Sequence, residues 1–290
     1  MRVRSFCPGH ITGFFQIMEH SDPLHSGSRG AGMCVGLGAR CSLVGTPGRG
    51  SIEVAMDGHK RPAPVTVDAI RGLRGSDRMD FEVMIENELP IGQGFGMSAA
   101  GAVAAAHAAS VVLGLDRDDA LRSAHLAELK NRTGLGDVAA LSRGGVTFRR
   151  NEGVSPYGVV DRIDDDPEVT LCVVGKPMST ASLISNSAVK RKVNAVGSEC
   201  VEHLAVSPDL DSLMRLSREF MKRTGFAAPK VEAAVSAVEA AGGQASMVML
   251  GTSVFALSGR NEIAEVLERF GRVHRTRVDL LGPRIIPGGK

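Results

Sequence analysis

Pro90-Ile91-Gly92-Gln93-Gly94-Phe95-Gly96-Met97-Ser98-Ala99-Ala100 sets three glycines at alternate positions ahead of an alanine-rich run that ends at Leu113-Gly114. Glycine lets the backbone approach an anion with no Cβ in the way. The free N–H groups of a first helical turn, at the positive end of the helix dipole, then supply the donors. The stretch therefore reads as a phosphate-cradling loop that opens a helix, with Ser98 offering a hydroxyl to a phosphate oxygen or a divalent ion. The glycines alone leave a second reading open, a tight turn before a core helix, because the spacing is neither a Walker loop nor GxGxxG.

Downstream, Asp116 with Asp119 three residues on marks a new helix start, and that helix runs to about Lys130. It carries His125 and Glu128 on one face, followed by Arg132 and the turn Thr133-Gly134-Leu135-Gly136-Asp137. Phosphoryl transfer needs a hard oxygen ligand for Mg²⁺ and a group that orients the attacking hydroxyl. Two carboxylates flanking a glycine turn meet both needs. Structural alternatives stay open on the residues alone: Glu128 paired with Arg132 at i,i+4, and Asp137 capping a helix that starts at Val138.

The whole chain is compatible with such an enzyme. Its 290 residues, 43% hydrophobic and 23% charged, suffice for one large domain or two moderate ones. The 34 basic and 32 acidic residues are spread along the chain, so no nucleic-acid partner is expected. Cys7, Cys34, Cys41, Cys172 and Cys200 are odd in number and form no CxxC, which speaks against a disulfide framework and a cysteine zinc site. Free thiols in a reducing, cytoplasmic setting are expected. The N-terminus lacks an apolar signal core. The longest apolar stretch, Ser98 to Leu115, is mostly Ala and Gly with His107 inside, and reads as a buried helix with no membrane role.

Short strand-like runs at Arg2 to Phe6, Met33 to Leu37 and Phe81 to Ile85 imply a mixed sheet. Phe6-Cys7-Pro8-Gly9-His10-Ile11-Thr12-Gly13-Phe14-Phe15 reads as a turn beside a buried aromatic pair, and Gly27-Ser28-Arg29-Gly30-Ala31-Gly32 as a flexible loop able to admit a ligand. In a strand from Gly144 to Arg150, alternation puts Thr147 and Arg149 opposite Val146 and Phe148. Arg149 is the candidate clamp for an anionic substrate group, with ordinary surface charge beside Arg150 as the alternative. The polar, acidic stretch from Asn151 to Glu168 reads as a domain junction. Strands at Val169 to Val174, Ser246 to Leu250, Val254 to Leu257 and Arg272 to Val278, mixed with helices near Asp209 to Lys222, Pro229 to Ala241 and Asn261 to Phe270, predict a second α+β domain.

The run from Pro90 to Ala100 resembles PxxxGLGSSAA, the ATP-binding signature of the GHMP kinases, with Phe95 for Leu and Met97 for the first Ser. The resemblance implies ATP binding by Pro90, Gly92, Gly94, Gly96, Met97, Ser98, Ala99 and Ala100. It implies Mg²⁺ held by Ser98 and Glu128, with Asp137 as base or aligning group, although homoserine kinases show that the family does not always need the Asp. The runs at Phe6 to Phe15 and Gly27 to Gly32, the TGLGD turn and Ala245-Ser246-Met247-Val248-Met249-Leu250-Gly251 are similar to archaeal pantoate kinases within that family. The segment after Gly242-Gly243 stands in the place of the third family motif but lacks its longer glycine series.

What the resemblance implies is an α+β, two-domain GHMP kinase fold. An N-terminal domain (1–165) would contain a left-handed βαβ crossover, against the general rule, and a C-terminal domain (166–290) would be ferredoxin-like, with the site between them. It further implies pantoate as the small-molecule substrate, with Ser28, His125 and Arg149 as its site, and a possible homodimer. A kinase of another small alcohol, such as mevalonate or homoserine, and a catalytically silent ligand sensor on the same fold remain as alternatives.

Overall fold

The computed structural model describes residues 1–177, 186–257 and 261–287. Its first sheet is built on two long antiparallel strands, β1 (Arg2–Met18) and β2 (Gly27–Pro47), paired from Arg2↔Val44 to Met18↔Gly27. The runs expected to be a turn at Phe6 to Phe15 and a loop at Gly27 to Gly32 are thus both strand. The register shifts between Pro8 and Gly9 and between Thr12 and Phe14 absorb the breaker residues. Glycine here answers a close approach between strands: a Cβ on Gly32 would lie 2.0 Å from the Ile11 carbonyl oxygen.

β3 (Ile52–Met56), the short β4 (His59–Lys60) and β5 (Met79–Asn87) extend the sheet in the order β1-β2-β5-β3-β4. β3 and β5 run parallel, with the crossover helix α1 (Pro64–Arg71) between them in sequence. β6 (Val146–Asn151) pairs with Gly30–Met33 of β2 and forms a hairpin with β7 (Val159–Ile163). β7 lies inside the acidic stretch expected to be a junction. Its half-exposed edge position tolerates Asp161 and Arg162, which hid the strand.

α2 (Met97–Leu113) lies on β1 and β2 and also packs against α1 and α3 (Arg117–Asn131). It is apolar on every side, and its alanines let sheet and helices approach together. Gly114, at a φ of 66°, ends it as the sequence predicts, and Asp116 caps α3 by accepting from the Asp119 N–H. α4 (Asp137–Arg143) follows the TGLGD turn.

The second sheet holds β8 (Glu168–Val173), β9 (Gln244–Met247), β10 (Ser253–Leu257) and β11 (Arg272–Arg277), all antiparallel in the order β11-β8-β10-β9. Helices α5 (Ser187–Val206), α6 (Leu210–Thr224) and α7 (Pro229–Ala240) lie between β8 and β9 in sequence, and α8 (Asn261–Glu268) between β10 and β11. This is the ferredoxin-like strand order. The link from β7 to β8 contains residue 165. The tail returns to the first sheet, where β12 (Arg284–Ile285) pairs with β1.

The two layers are joined at β1. Asn194 of α5 accepts from the Ile17 N–H at 2.8 Å and donates to its carbonyl at 3.0 Å, while the rings of Phe15 and Phe220 meet at 5.6 Å. Among the described residues no helix is long and apolar enough to cross a membrane.

Candidate active site

α2 starts from Gly96, whose φ of 63° and lack of a capping side chain leave the first-turn N–H groups free to meet a ligand. They border a cavity of about 370 Å³ lined by Gly92, Gly94, Gly96, Met97, Ser98 and Ala99 of the glycine segment. Pro90 and Ala100 lie outside that lining, at the two ends of the segment. The loop is held from the second sheet. Gln93 is buried, donating to the Gly175 carbonyl and accepting from Thr252 and Ser253. Its neighbour Gly94, at a φ of 85°, passes so close to the third motif that a Cβ would sit 2.8 Å from Val248 Cγ1 and 2.9 Å from the Met249 carbonyl oxygen.

That third motif leaves the strand earlier than the sequence suggests. β9 ends at Met247, and Leu250 takes a left-handed φ of 61°. The Met249 N–H then donates to the Thr12 carbonyl, and Met249 and Leu250 form part of the cavity wall. Gly251 turns against the glycine loop, where a Cβ would be 2.1 Å from the Gln93 carbonyl oxygen.

Beside the glycine segment, Glu128 of α3 accepts at one oxygen, Oε1, from Ser98 Oγ at 2.7 Å and from Thr133 Oγ1 at 2.9 Å. Its partners are these hydroxyls and not Arg132. Burial pushes the Glu128 carboxyl up to about 7, with the Asp137 charge adding to the rise and the two hydroxyls opposing it. Gly134 is small because the carboxylates need its space: a Cβ there would lie 2.2 Å from Glu128 Oε2 and 3.2 Å from Asp137 Oδ2. Two carboxylates and two hydroxyls thus gather on one wall, a donor set made of hard oxygens that suits Mg²⁺.

Asp137 is the first residue of α4 and makes no cap; its Oδ1 accepts from His10 Nδ1 at 2.7 Å, and a quarter of its side chain is accessible. Burial alone would raise its pKa. The hydrogen bond of His10 and, when its ring is protonated, its charge, together with the charge of Arg149, outweigh that and hold the carboxyl below its ordinary range. Burial lowers the pKa of His10, so the pair is best described as a neutral imidazole donating to a carboxylate. His10 Nε2 is buried with no hydrogen-bond partner, and the His10 N–H is tied to the Phe95 carbonyl of the glycine loop.

Arg149, on β6, is 1% exposed and forms part of the same cavity wall. Its Nε donates to the Ser28 carbonyl at 3.3 Å, and its Nη1 is buried without a partner. Burial pulls its pKa down to about 10, Asp137 opposing, so it is charged at neutral pH. Ser28 joins it at the wall. Both press on Gly136, where a Cβ would meet Ser28 Oγ at 2.1 Å and Arg149 Nε at 2.9 Å.

Ser28, Ser98, Glu128, Asp137 and Arg149 are therefore brought together. Thr147 instead faces the Gly32 carbonyl, and His125 stands behind the wall, its Nε2 donating to the carbonyls of Pro23 and Ser26 just before Ser28. Thr12, Thr133, Gln93 and the His10 contact were not singled out by the sequence. His10 and Asp137 are 127 residues apart, and only the isolated histidine within an otherwise apolar stretch hinted at it.

The chain is similar to known proteins in sequence and in fold. Residues 65–145 match the GHMP kinases N terminal domain. The chain is 32% identical to the pantoate kinase of Methanospirillum hungatei over 99% of this chain and 97% of that one, and 34% identical to the pantoate kinase of Thermococcus kodakarensis over 91% and 90%. A solved structure described as a phosphotransferase related to the CoA biosynthesis pathway superposes with a TM-score of 0.88 at 30% identity, covering 98% of both chains. The homoserine kinase of Cytophaga hutchinsonii, at 20% identity and a TM-score of 0.72 over 98% and 97%, shares the fold.

Proposed function

The chain belongs to the GHMP kinase family, and from that membership we infer that it is a pantoate kinase, converting ATP and (R)-pantoate to ADP and 4-phosphopantoate on the way to coenzyme A. The observation that carries the substrate reading is Arg149: a buried guanidinium with an unpartnered Nη1, in the wall of the cavity that also holds Ser98, Glu128 and Asp137. A buried, unsatisfied cation is costly, and a substrate carboxylate would relieve it.

In this reading the phosphates of ATP lie on the glycine segment and the open end of α2, and pantoate lies between Arg149, Ser28 and Asp137. The primary hydroxyl oxygen of pantoate forms a bond to the γ-phosphorus while the bond from that phosphorus to the β–γ bridging oxygen breaks. ADP leaves with the electron pair. Asp137 aligns the hydroxyl and accepts its proton; because the transition state is largely dissociative, alignment is the larger part of that role. Ser98 and Glu128 would hold Mg²⁺, which when bound neutralises charge on the phosphate oxygens. The raised Glu128 carboxyl supports this, since a buried carboxylate lacking a cation titrates high and a cation there would restore its charge. His125, through the Pro23 and Ser26 carbonyls, would act by fixing the segment that carries Ser28. Phosphorus NMR of the product of pantoate and Mg-ATP tests the reaction: a monoester on the primary hydroxyl is expected, and a product esterified at the secondary hydroxyl would overturn the assigned orientation.

A further inference from the structure

His20, His25 and Glu152, none of which lines the cavity described above, bring one donor atom each to within 4.8 Å of one another. The histidines belong to the turn between β1 and β2, and Glu152 to the link from β6 to β7. His20 Nε2 lies 2.6 Å and His25 Nε2 3.6 Å from the same oxygen, Glu152 Oε1. We propose that this cluster binds one divalent transition-metal ion of the zinc class, which clips the β1–β2 turn to the β6–β7 link.

The chemistry of the donors selects the ion. Two imidazoles and a carboxylate form the three-ligand set of open zinc sites, with a water in the fourth position, whereas Mg²⁺ prefers oxygen donors alone. The cysteines do not compete in the folded chain, since all five are buried.

The cluster is supported by contacts of its own. The ring of His25 stacks on His20 at 3.7 Å and on Tyr157 at 4.5 Å, and Tyr157 Oη donates to Asp22 at 2.8 Å. The backbones are locked too: the Val154 N–H donates to the Leu24 carbonyl, and Gly153, at a φ of 84°, passes where a Cβ would be 2.3 Å from that carbonyl oxygen. Such outer contacts orient ligands before a metal arrives. Tetrahedral donors on one zinc ion stand about 3.4 Å apart. Binding therefore spreads His20 Nε2 and Glu152 Oε1 from their 2.6 Å contact, draws in any wider pair, and turns the parallel imidazoles out of their stack.

That movement has a built-in reporter, because Tyr157 is the single tyrosine of a chain with no tryptophan. Metal-free protein near neutral pH is titrated with Zn²⁺ while tyrosine emission is followed, and bound zinc is counted after desalting. One zinc per chain is expected, with an emission change that saturates at one equivalent and is unaffected by excess Mg²⁺. His20→Gln and Glu152→Gln should each weaken binding by about tenfold or more, and Glu128→Gln should leave it unchanged. X-ray absorption of the unsubstituted zinc complex, which does not depend on any variant folding, should show two imidazole ligands. No retained zinc, equal retention in His20→Gln and Glu152→Gln, loss in Glu128→Gln, or a spectrum with sulfur ligands or without imidazole would each overturn the proposal.

Discussion

Ser98 Oγ donates to Glu128 Oε1 across 2.7 Å, tying the first turn of α2 to the last turns of α3 within the cavity wall. Glu128 is 2% exposed, and in the folded chain its carboxyl titrates near 7, against an ordinary 4.5. The folded state therefore holds a proton that the unfolded state has lost between these values. Stability contributed by the protonated form is complete below about 4.5 and falls away as pH rises to about 7, by a few kcal/mol at most. Glu128→Gln should remove that decline in thermal midpoint while lowering kcat about a hundredfold or more, the loss of a charge that steadies the phosphates. For the unsubstituted protein at limiting Mg²⁺, activity should drop as pH falls through about 7, and added Mg²⁺ should move the midpoint lower. Thermal melts and pH–rate profiles check both; near-normal activity of Glu128→Gln at limiting Mg²⁺ would refute the metal role.

His10→Ala removes the donor that keeps Asp137 ionised, so the acid limb of the kcat profile should move to higher pH as burial raises the Asp137 carboxyl. His10→Asn, whose amide can present an N–H near the position of Nδ1, should restore part of the shift. An unchanged profile in His10→Ala would show that the contact is only structural.

Gly136→Ala should raise the KM for pantoate strongly and leave that for ATP nearly unchanged, because the three atoms nearest the new methyl belong to Ser28 and Arg149 and none of the three to the glycine loop. The φ of −143° at Gly136 is open to alanine, so backbone strain adds little and the thermal midpoint should move by only a few degrees. Equal effects on both KM values would contradict the separation of the two subsites.

The parts of this site legible in the sequence were those written locally. The glycine segment before Ser98, the helix carrying Glu128 and the turn before Asp137 are each contiguous, so their likeness to the kinase motifs is readable, while spacing alone left structural alternatives open. Alternation along one strand offered Arg149 as a candidate, and the family resemblance gave it a substrate role. What could not be read was pairing across the chain. Gly30 and Gly32 signal a loop by composition, yet they are where strands cross so closely that no side chain fits. His10, Gln93 and the His20–His25–Glu152 cluster gain their partners only when distant segments meet, and no local period marks them. His125 shows the converse: its spacing from Glu128 was visible, but the carbonyls that hold its ring belong to a turn about a hundred residues earlier.

Arg149→Ala should raise the KM for pantoate by roughly ten- to a hundredfold, the worth of a charge-assisted hydrogen bond of about 1.5–3 kcal/mol, with little change for ATP. Arg149→Lys should recover only part, having charge without the guanidinium fork. With pantoyl amide, the unsubstituted enzyme should lose affinity while Arg149→Ala loses little more. Additive losses in that cycle would place the carboxylate elsewhere.

The most direct test of the whole account is the specificity constant, kcat/KM, of the unsubstituted protein with Mg-ATP on pantoate, pantothenate, mevalonate and homoserine. Pantothenate has an amide where pantoate has the carboxylate that Arg149 is assigned to bind. Pantoate should exceed pantothenate by about tenfold or more, the least that one charge-assisted contact provides, and should also be preferred over mevalonate and homoserine, which carry carboxylates of their own. Turnover of mevalonate or homoserine with none on pantoate would contradict the assignment of the substrate, and turnover of pantothenate equal to that of pantoate would contradict the role given to Arg149.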